Sequence, residues 1–303
     1  MNERVLVIFG PTASGKTELA VQVAKQFGGE VVSCDSQQIY KELFIGTARP
    51  TESEMNGVPH HLIGHVSVKD FYNVARFFEE AKESISNVIS RGHLPIVCGG
   101  SYMWLTMLLD GLSPTPPANP DIRKKLELEA EEKGVPKLHE RLSKLDPLSA
   151  QKISSNDLKR VVRALEIYEL TGKPRSEIFD IREKLQYSFI KIGIVRPRLD
   201  LYDRINARVE KMVDMGLLDE VKNLIDSGFV FDIRRIAAHG YPPILDYFEG
   251  KKKLNESLDE MKKVTRHYAK RQLTFLRSRL DFVVTTPDLS QVARILEERN
   301  GSN

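Results

Sequence analysis

Two cysteines, Cys34 and Cys98, are all that the 303 residues contain. No disulfide framework can hold such a chain, and no Cys-rich metal site can organise it. Each cysteine closes an apolar run, the setting of a buried free thiol, and the scarcity fits a reducing, cytoplasmic protein. Long apolar runs are missing too. No segment approaches the roughly 20 residues that cross a bilayer, and the first residues lead into a β-branched run without a signal-peptide pattern. We therefore expect no membrane association. His60, His61 and His65 lie close in sequence, but no Cys/His set completes a zinc site around them. Charge is nearly balanced, with 45 Lys and Arg against 42 Asp and Glu. Its distribution is not. Residues 251–280 hold ten Lys/Arg and three acids, a local excess larger than the +3 of the whole chain. Such a stretch suits a polyanionic partner, and it equally suits a solvated helix face.

What is present starts with Gly10-Pro11-Thr12-Ala13-Ser14-Gly15-Lys16-Thr17, a match to G-x-x-x-x-G-K-[ST]. The apolar run 5–9 precedes it. Leu19, Ala20, Val23, Ala24 and Phe27 follow at helical spacing. Strand, loop and helix in this order form a phosphate cradle. The glycines let the backbone wrap closely and aim its N–H groups inward. The helix adds the positive end of its dipole. Lys16 brings a charge to the terminal phosphates, and the Thr17 hydroxyl suits Mg2+. All eight residues are candidate diphosphate- or nucleotide-binding residues. ATP-binding proteins share the pattern, which does not say which phosphorylated molecule is held.

Strand-like segments occupy 5–9, 30–34, 94–98, 189–195 and 282–285. Most are continuous apolar runs, as in parallel strands covered on both faces. Their alternation with helical stretches such as 73–89 predicts an α/β fold. It is a P-loop NTPase-like, doubly wound parallel sheet with the loop at its carboxyl edge. Residues 113–186 contain no strand. A Pro-rich opening at 113–120 leads to amphipathic helices at 122–133 and 158–170. Residues 199–279 are again helical, with Arg204, Arg208 and Lys211 on one face and Ile205, Val209 and Met212 on another. The expected organisation is a P-loop core at 1–112 and a helical insertion at 113–186. The last core strands, with a basic helical C-terminal part, follow at 187–303.

After the second strand comes Asp35-Ser36-Gln37-Gln38. A parallel sheet puts Asp35 at the same edge as the loop. There a carboxylate can position a metal or take a proton from a nucleophile, or it can cap the next turn. The strand at 94–98 runs into Gly99-Gly100-Ser101, where ATPases carry an acidic Walker-B residue. Its lack speaks against ATP hydrolysis. It favours small groups that admit a substrate and a Ser101 hydroxyl that bonds at the reacting centre. Lys16, Asp35 and Ser101 are the catalytic candidates.

GPTASGKT is one of several motifs in a fixed order: DSQQIYKELFIGTARP (35–50), PHHLI (59–63), CGGS (98–101), GLSP (111–114), NDLKRVVRALE (156–166), GK-P (172–174), HGY (239–241) and AKRQLTFLR (269–277). Together they resemble the tRNA dimethylallyltransferase, or tRNA isopentenyltransferase, family of bacterial type, over residues 4–285. The resemblance implies that a dimethylallyl group passes from dimethylallyl diphosphate to N6 of the adenosine 3′-adjacent to the anticodon in tRNA, giving N6-isopentenyladenosine. It implies a diphosphate and Mg2+ in the loop, with Asp35 acting on N6. It also implies that Asp35, Ser36, Gln37, Gln38, Ser101, Arg123, Lys159, Arg160, Val161, Val162 and Arg163 face the tRNA anticodon stem-loop, in a monomer. An AMP isopentenyltransferase would use the same loop but needs neither the long helical insertion nor the basic C-terminal region, and a small-molecule P-loop kinase would need a nucleoside-recognition segment and a phosphoacceptor site that the sequence does not reveal. The chain departs from the family pattern at Phe44, Gly64 and Arg76, each in place of an acid. It departs again at Pro242-Pro243, in place of a basic–acidic pair, and at Phe275, in place of Trp.

Overall fold

The computed structural model describes residues 3–236 and 238–298. The chain forms two compact units, Met1–Leu109 with Gln186–Asn303, and Asp110–Leu185. In the first, six strands build one parallel sheet: β1 (Arg4–Phe9), β2 (Gly29–Cys34), β3 (His60–His61), β4 (Leu94–Gly99), β5 (Ser188–Ile194) and β6 (Val283–Thr285), in the order β3-β2-β4-β1-β5-β6. Helices α1 (Lys16–Phe27), α2 (Glu52–Met55), α3 (Val74–Ser90) and α4 (Tyr102–Asp110) come before the insertion. Within the insertion lie α5 (Pro120–Lys133), α6 (Val135–Leu145), α7 (Pro147–Lys152), α8 (Leu158–Thr171) and α9 (Arg175–Asp180). After it come α10 (Arg198–Asp214), α11 (Leu217–Asp226), α12 (Val230–Ile236), α13 (Pro242–Phe248), α14 (Leu254–Ser278) and α15 (Leu289–Glu298). Among the described residues no helix is long and apolar enough to cross a membrane.

The central strands are buried along nearly their whole length, which explains why they read as apolar runs rather than alternations. Amphipathic helices cover them. In α1, Leu19, Ala20, Val23 and Ala24 face the sheet. In α3, Phe77, Phe78, Ala81, Ile85 and Val88 are buried, and the Asn73 side chain caps the helix by accepting the Arg76 N–H. The two-residue strand β3 was not expected. It pairs with β2 through Val31 and His60, and two residues after a proline are too few to show a period.

Register brings the functional loops together. Phe9 pairs with Gly99 and with Gly193, and Gly99 pairs with Cys34. The chain therefore leaves the sheet on one row at Gly10, Asp35, Gly100 and, one residue later, Val195. The glycine pair after β4 makes this closeness possible. A Cβ on Gly99 would lie 2.0 Å from the Cys34 carbonyl oxygen, and one on Gly100 would lie 2.2 Å from Gln272 Nε2. The two glycines thus admit neighbouring protein atoms, not a substrate.

At the opposite edge, buried Glu30 gathers His61 Nε2 and His93 Nδ1 at 2.6 Å each and Arg91 at 2.7 Å. This accounts for one of the clustered histidines, and His65 pairs with Glu80 at 2.9 Å. Burial alone would raise the Glu30 carboxyl, but the bonds from Arg91, His93 and His61 bring it down to about 2.

The second unit has its own core of Leu126, Leu138, Leu142, Val161, Val162 and Leu165, each worth about 1.5–3 kcal/mol on burial. Val161 and Val162 are 0% and 3% exposed. This corrects the expectation that they face tRNA, because neither side chain reaches solvent. Two buried acids organise the unit. Asp146 accepts the Ser149 N–H (3.0 Å), the Ser176 N–H (3.0 Å) and the Ser176 hydroxyl (2.7 Å), joining α7 to α9. Glu166 accepts Arg123 Nε (3.0 Å), an Arg163 guanidinium N–H (2.6 Å) and the Asn119 N–H (2.6 Å).

A folded pKa below the ordinary 4.5 means that Glu30 stabilises the fold fully above that pH and progressively less as pH falls toward 2. Glu30→Gln is expected to lower Tm at pH 7 by roughly 2–6 °C. In urea titrations the deficit should shrink by about half at pH 3. An equal deficit at both pH values would rule out the charged network as its source.

Candidate active site

The phosphate loop is a backbone nest. Ala13 and Gly15 take left-handed φ values of +63° and +94°, which turn successive N–H groups to one side. Ser14 N–H donates to the Pro11 carbonyl at 3.2 Å, tightening the turn, and α1 begins at Lys16. The nest is braced from outside. Arg196 Nε donates to the Ser14 carbonyl (2.8 Å), Arg204 Nε to the Ala13 carbonyl (2.9 Å), and Arg208 to the Thr12 hydroxyl (3.3 Å). Buried Gln272 of α14 accepts the Thr12 N–H through Oε1 (2.9 Å) and donates through Nε2 to the Gly100 carbonyl (2.8 Å). One side chain thus ties the loop after β1 to the loop after β4. Sequence reasoning placed Arg204 and Arg208 on a polar helix face and Gln272 within a motif, but gave none of them this role. The signal was the arginine pair four residues apart.

Thr12, Ala13, Gly15, Lys16 and Thr17 line a cavity of about 480 Å³, while Gly10, Pro11 and Ser14 are buried and outside its lining. Asp35, Gln37 and Gln38 form part of the same wall. Apolar Ile205, Val209, Met212 and Met261 contribute to the lining as well, and His239 and Tyr268 lie in it near Asp35. Among the described residues the Lys16 ammonium donates only to the Pro11 carbonyl, at 3.4 Å. Burial holds its ammonium below the ordinary range, with Arg208 acting in the same direction and Cys98 and Asp35 opposing. Burial also pushes up both thiols, Cys98 to about 11, so neither is a nucleophile at neutral pH.

Asp35 caps the next turn and also faces the cavity. Its Oδ1 accepts the Gln37 and Gln38 N–H groups (3.0 and 3.4 Å), closing an Asx turn, while the group lines the cavity beside Lys16. Ser101 is placed otherwise than expected. It is buried, its Oγ accepts the Ser36 N–H at 2.8 Å and bonds Ser36 Oγ at 3.0 Å, and it does not line the cavity. This corrects its assignment to the reacting centre, because the hydroxyl is already engaged in holding the Asp35-Ser36 turn. In the insertion, Arg123 and Arg163 bracket Glu166, whereas Lys159 and Arg160 are exposed, Arg160 with Asp157 at 3.2 Å.

The sequence matches the model of the IPP transferase family over residues 38–279. The tRNA dimethylallyltransferase of Acetivibrio thermocellus is 45% identical over 278 residues, 91% of this chain and 89% of that one. The chain belongs to the IPP transferase family. Among solved structures, the tRNA isopentenylpyrophosphate transferase of Bacillus halodurans matches with a TM-score of 0.70 at 39% identity, over 98% of this chain and 95% of that one. A eukaryotic dimethylallyltransferase, captured acting on tRNA, matches with a TM-score of 0.81 at 30% identity, over 98% and 77%.

Departures from the family pattern are absorbed locally. Arg49 stacks on the Phe44 ring at 4.7 Å and donates to the Tyr40 carbonyl at 2.9 Å. A Cβ on Gly64 would lie 2.4 Å from that guanidinium, so Phe44 and Gly64 together accommodate one arginine. Arg76 pairs with Glu80 at 2.8 Å. Pro242 and Pro243 occupy the first turn of α13, where a missing N–H costs nothing. Phe275 packs edge-on against Phe9 at 5.1 Å.

Gln272→Leu keeps the volume and removes both bonds. Pyrophosphate affinity by calorimetry is expected to fall about tenfold, the worth of one or two buried hydrogen bonds. An unchanged Kd would mean that the loop holds its shape unaided.

Proposed function

We propose that this chain transfers a dimethylallyl group from dimethylallyl diphosphate to N6 of the adenosine 3′-adjacent to the anticodon in tRNA. The observation that carries this is a single cavity in which Lys16, Thr17 and Asp35 meet an apolar wall. The ligand it fits has a diphosphate head and a short branched hydrocarbon tail. The head belongs in the nest, where inward N–H groups and Lys16 meet its charge. The tail lies along Ile205, Val209, Met212 and Met261. The N6 lone pair forms a bond to C1 while the C1–O bond breaks and its electron pair leaves with the diphosphate. The N6 proton passes to Asp35. A desolvated ammonium stabilises the departing charge more than a solvated one would.

The donors around the nest are hard oxygens. Among the described residues no three His, Cys, Asp or Glu are grouped to hold a metal. That set fits Mg2+ held by Thr17 Oγ1 and diphosphate oxygens. Bound there, it would supply further neutralisation of the leaving group.

The target adenine must leave its stack, at a cost of a few kcal/mol, which backbone contacts to RNA offset. Lys159 and Arg160 of the insertion suit that task. So do Lys263, Lys270, Arg271 and Arg277 of α14, which have no acidic partner among the described residues. We also propose that the enzyme acts in the cytoplasm, as a monomer.

Asp35→Asn is expected to lower kcat about 10³-fold and to change the tRNA Kd less than about threefold. Normal turnover in this variant would refute the base role. AMP offered in place of an anticodon stem-loop should yield no prenylated product. The tRNA Kd should weaken by about a hundredfold or more between 50 and 200 mM salt, and a flat profile would remove the basic surfaces from the reading.

A further inference from the structure

Helix α11 carries an acid that none of this chemistry uses. Glu220 Oε2 accepts the N–H groups of Phe44 (3.2 Å) and Ile45 (2.8 Å), and its Oε1 accepts the Gly46 N–H (3.1 Å) and the Tyr241 hydroxyl (2.7 Å). Three consecutive backbone N–H groups on one anion are a nest filled from within the protein. The phenol beside them is fully buried, and burial together with the Glu220 charge keeps it protonated.

The two segments joined in this way touch backbone to backbone. A Cβ on Gly240 would lie 2.3 Å from the Gly46 carbonyl oxygen, and one on Gly46 would lie 2.6 Å from the Tyr241 ring. Both segments run on into the cavity wall, one as Gly46, Thr47 and Ala48, the other as His239 and Gly240. Ala48 is held there at a left-handed φ of +53°, a conformation that persists only where its surroundings enforce it. The Thr47 and Ala48 carbonyls accept Gln38 Nε2 at 3.2 and 2.9 Å, and the Gln38 N–H donates to Asp35 Oδ1. Contacts therefore lead from α11 to the Asp35 carboxylate, although Glu220 itself does not line the cavity.

We propose that Glu220 is the positioning residue of the acceptor side. It fixes the 44–48 loop, and through Gln38 the Asp35 turn, against which the purine is presented. The diphosphate side is braced separately by Gln272 and the three arginines. This inference rests on the assignment of Asp35 as base.

Glu220→Gln preserves shape but turns an NH2 group toward N–H donors, and Tyr241→Phe removes only the phenol bond. Three readouts apply: amide hydrogen exchange at 44–46, kcat at saturating tRNA and dimethylallyl diphosphate, and Kd for inorganic pyrophosphate. In Glu220→Gln, exchange at 44–46 should quicken at least about tenfold and kcat should fall about 30-fold. Pyrophosphate Kd should stay within about twofold, because the nest is held by other groups. Tyr241→Phe should lose about threefold in kcat. Retained protection at 44–46, unchanged kcat, or a pyrophosphate Kd that rises in step with the loss of turnover would each overturn the proposal. If Asp35→Asn turns over normally, the base role fails by itself, and exchange at 44–46 still reads whether Glu220 holds the loop.

Discussion

A cradle of backbone N–H groups must keep enough of its donors unpaired and pointing inward while its carbonyls find partners outside. Left alone, such a loop would fold its own N–H groups onto its own carbonyls. Here the Pro11 carbonyl does take the Ser14 N–H, but two other competing acceptors are occupied from outside. Arg196 takes the Ser14 carbonyl and Arg204 the Ala13 carbonyl. On the donor side, Gln272 takes the Thr12 N–H and anchors it to Gly100. Every brace comes from beyond residue 190, from the turn after β5, from α10 or from α14. The consensus loop is thus only half of the anion site. The other half is a set of long side chains contributed 182 to 260 residues later.

That division explains what the sequence makes legible. The strand–loop–helix at 5–27 declares itself because its determinants are contiguous: an apolar run, two glycines at fixed spacing and a helical stripe. Asp35 is legible for a related reason, since parallel strands must deliver the residues after them to the same edge. Ser101 shows where this logic stops. Its position at the edge is as expected, but position does not fix the direction of a hydroxyl, and Ser36 captures it. Val161 and Val162 show a second limit. A helix one turn from exposed Arg160 also carries the unit's core, and a run of neighbouring positions cannot all face outward on a period of 3.6 residues. Glu166, Glu220 and Gln272 were not assigned roles because a buried polar residue is defined by partners that are distant in sequence.

A recurring device is the single carboxylate that closes several loops. Glu30 holds an arginine and two histidines at the amino edge of the sheet. Glu166 joins two arginines and a backbone N–H in the insertion. Asp146 joins two helix starts. Each replaces water around a charge with donors fixed by the fold, and so escapes the desolvation penalty of an unpaired buried ion. Such knots specify geometry more than they add stability, which is why they gather where loops must keep a given shape. An unpaired acid in any of these places would instead loosen its loop.

The Phe44–Arg49–Gly64 arrangement shows how a site can tolerate change. An arginine inside a turn needs carbonyls to receive its N–H groups, a flat surface for its face and room beside it. Tyr40 and Lys41 supply the carbonyls, Phe44 the surface and Gly64 the room. Altering any one of the three would leave the guanidinium poorly solvated or crowded, so Phe44 and Gly64 form one unit rather than two independent departures. The main-chain N–H of Phe44 still reaches Glu220. The side chain can therefore vary while the backbone that shapes the cavity stays where it is.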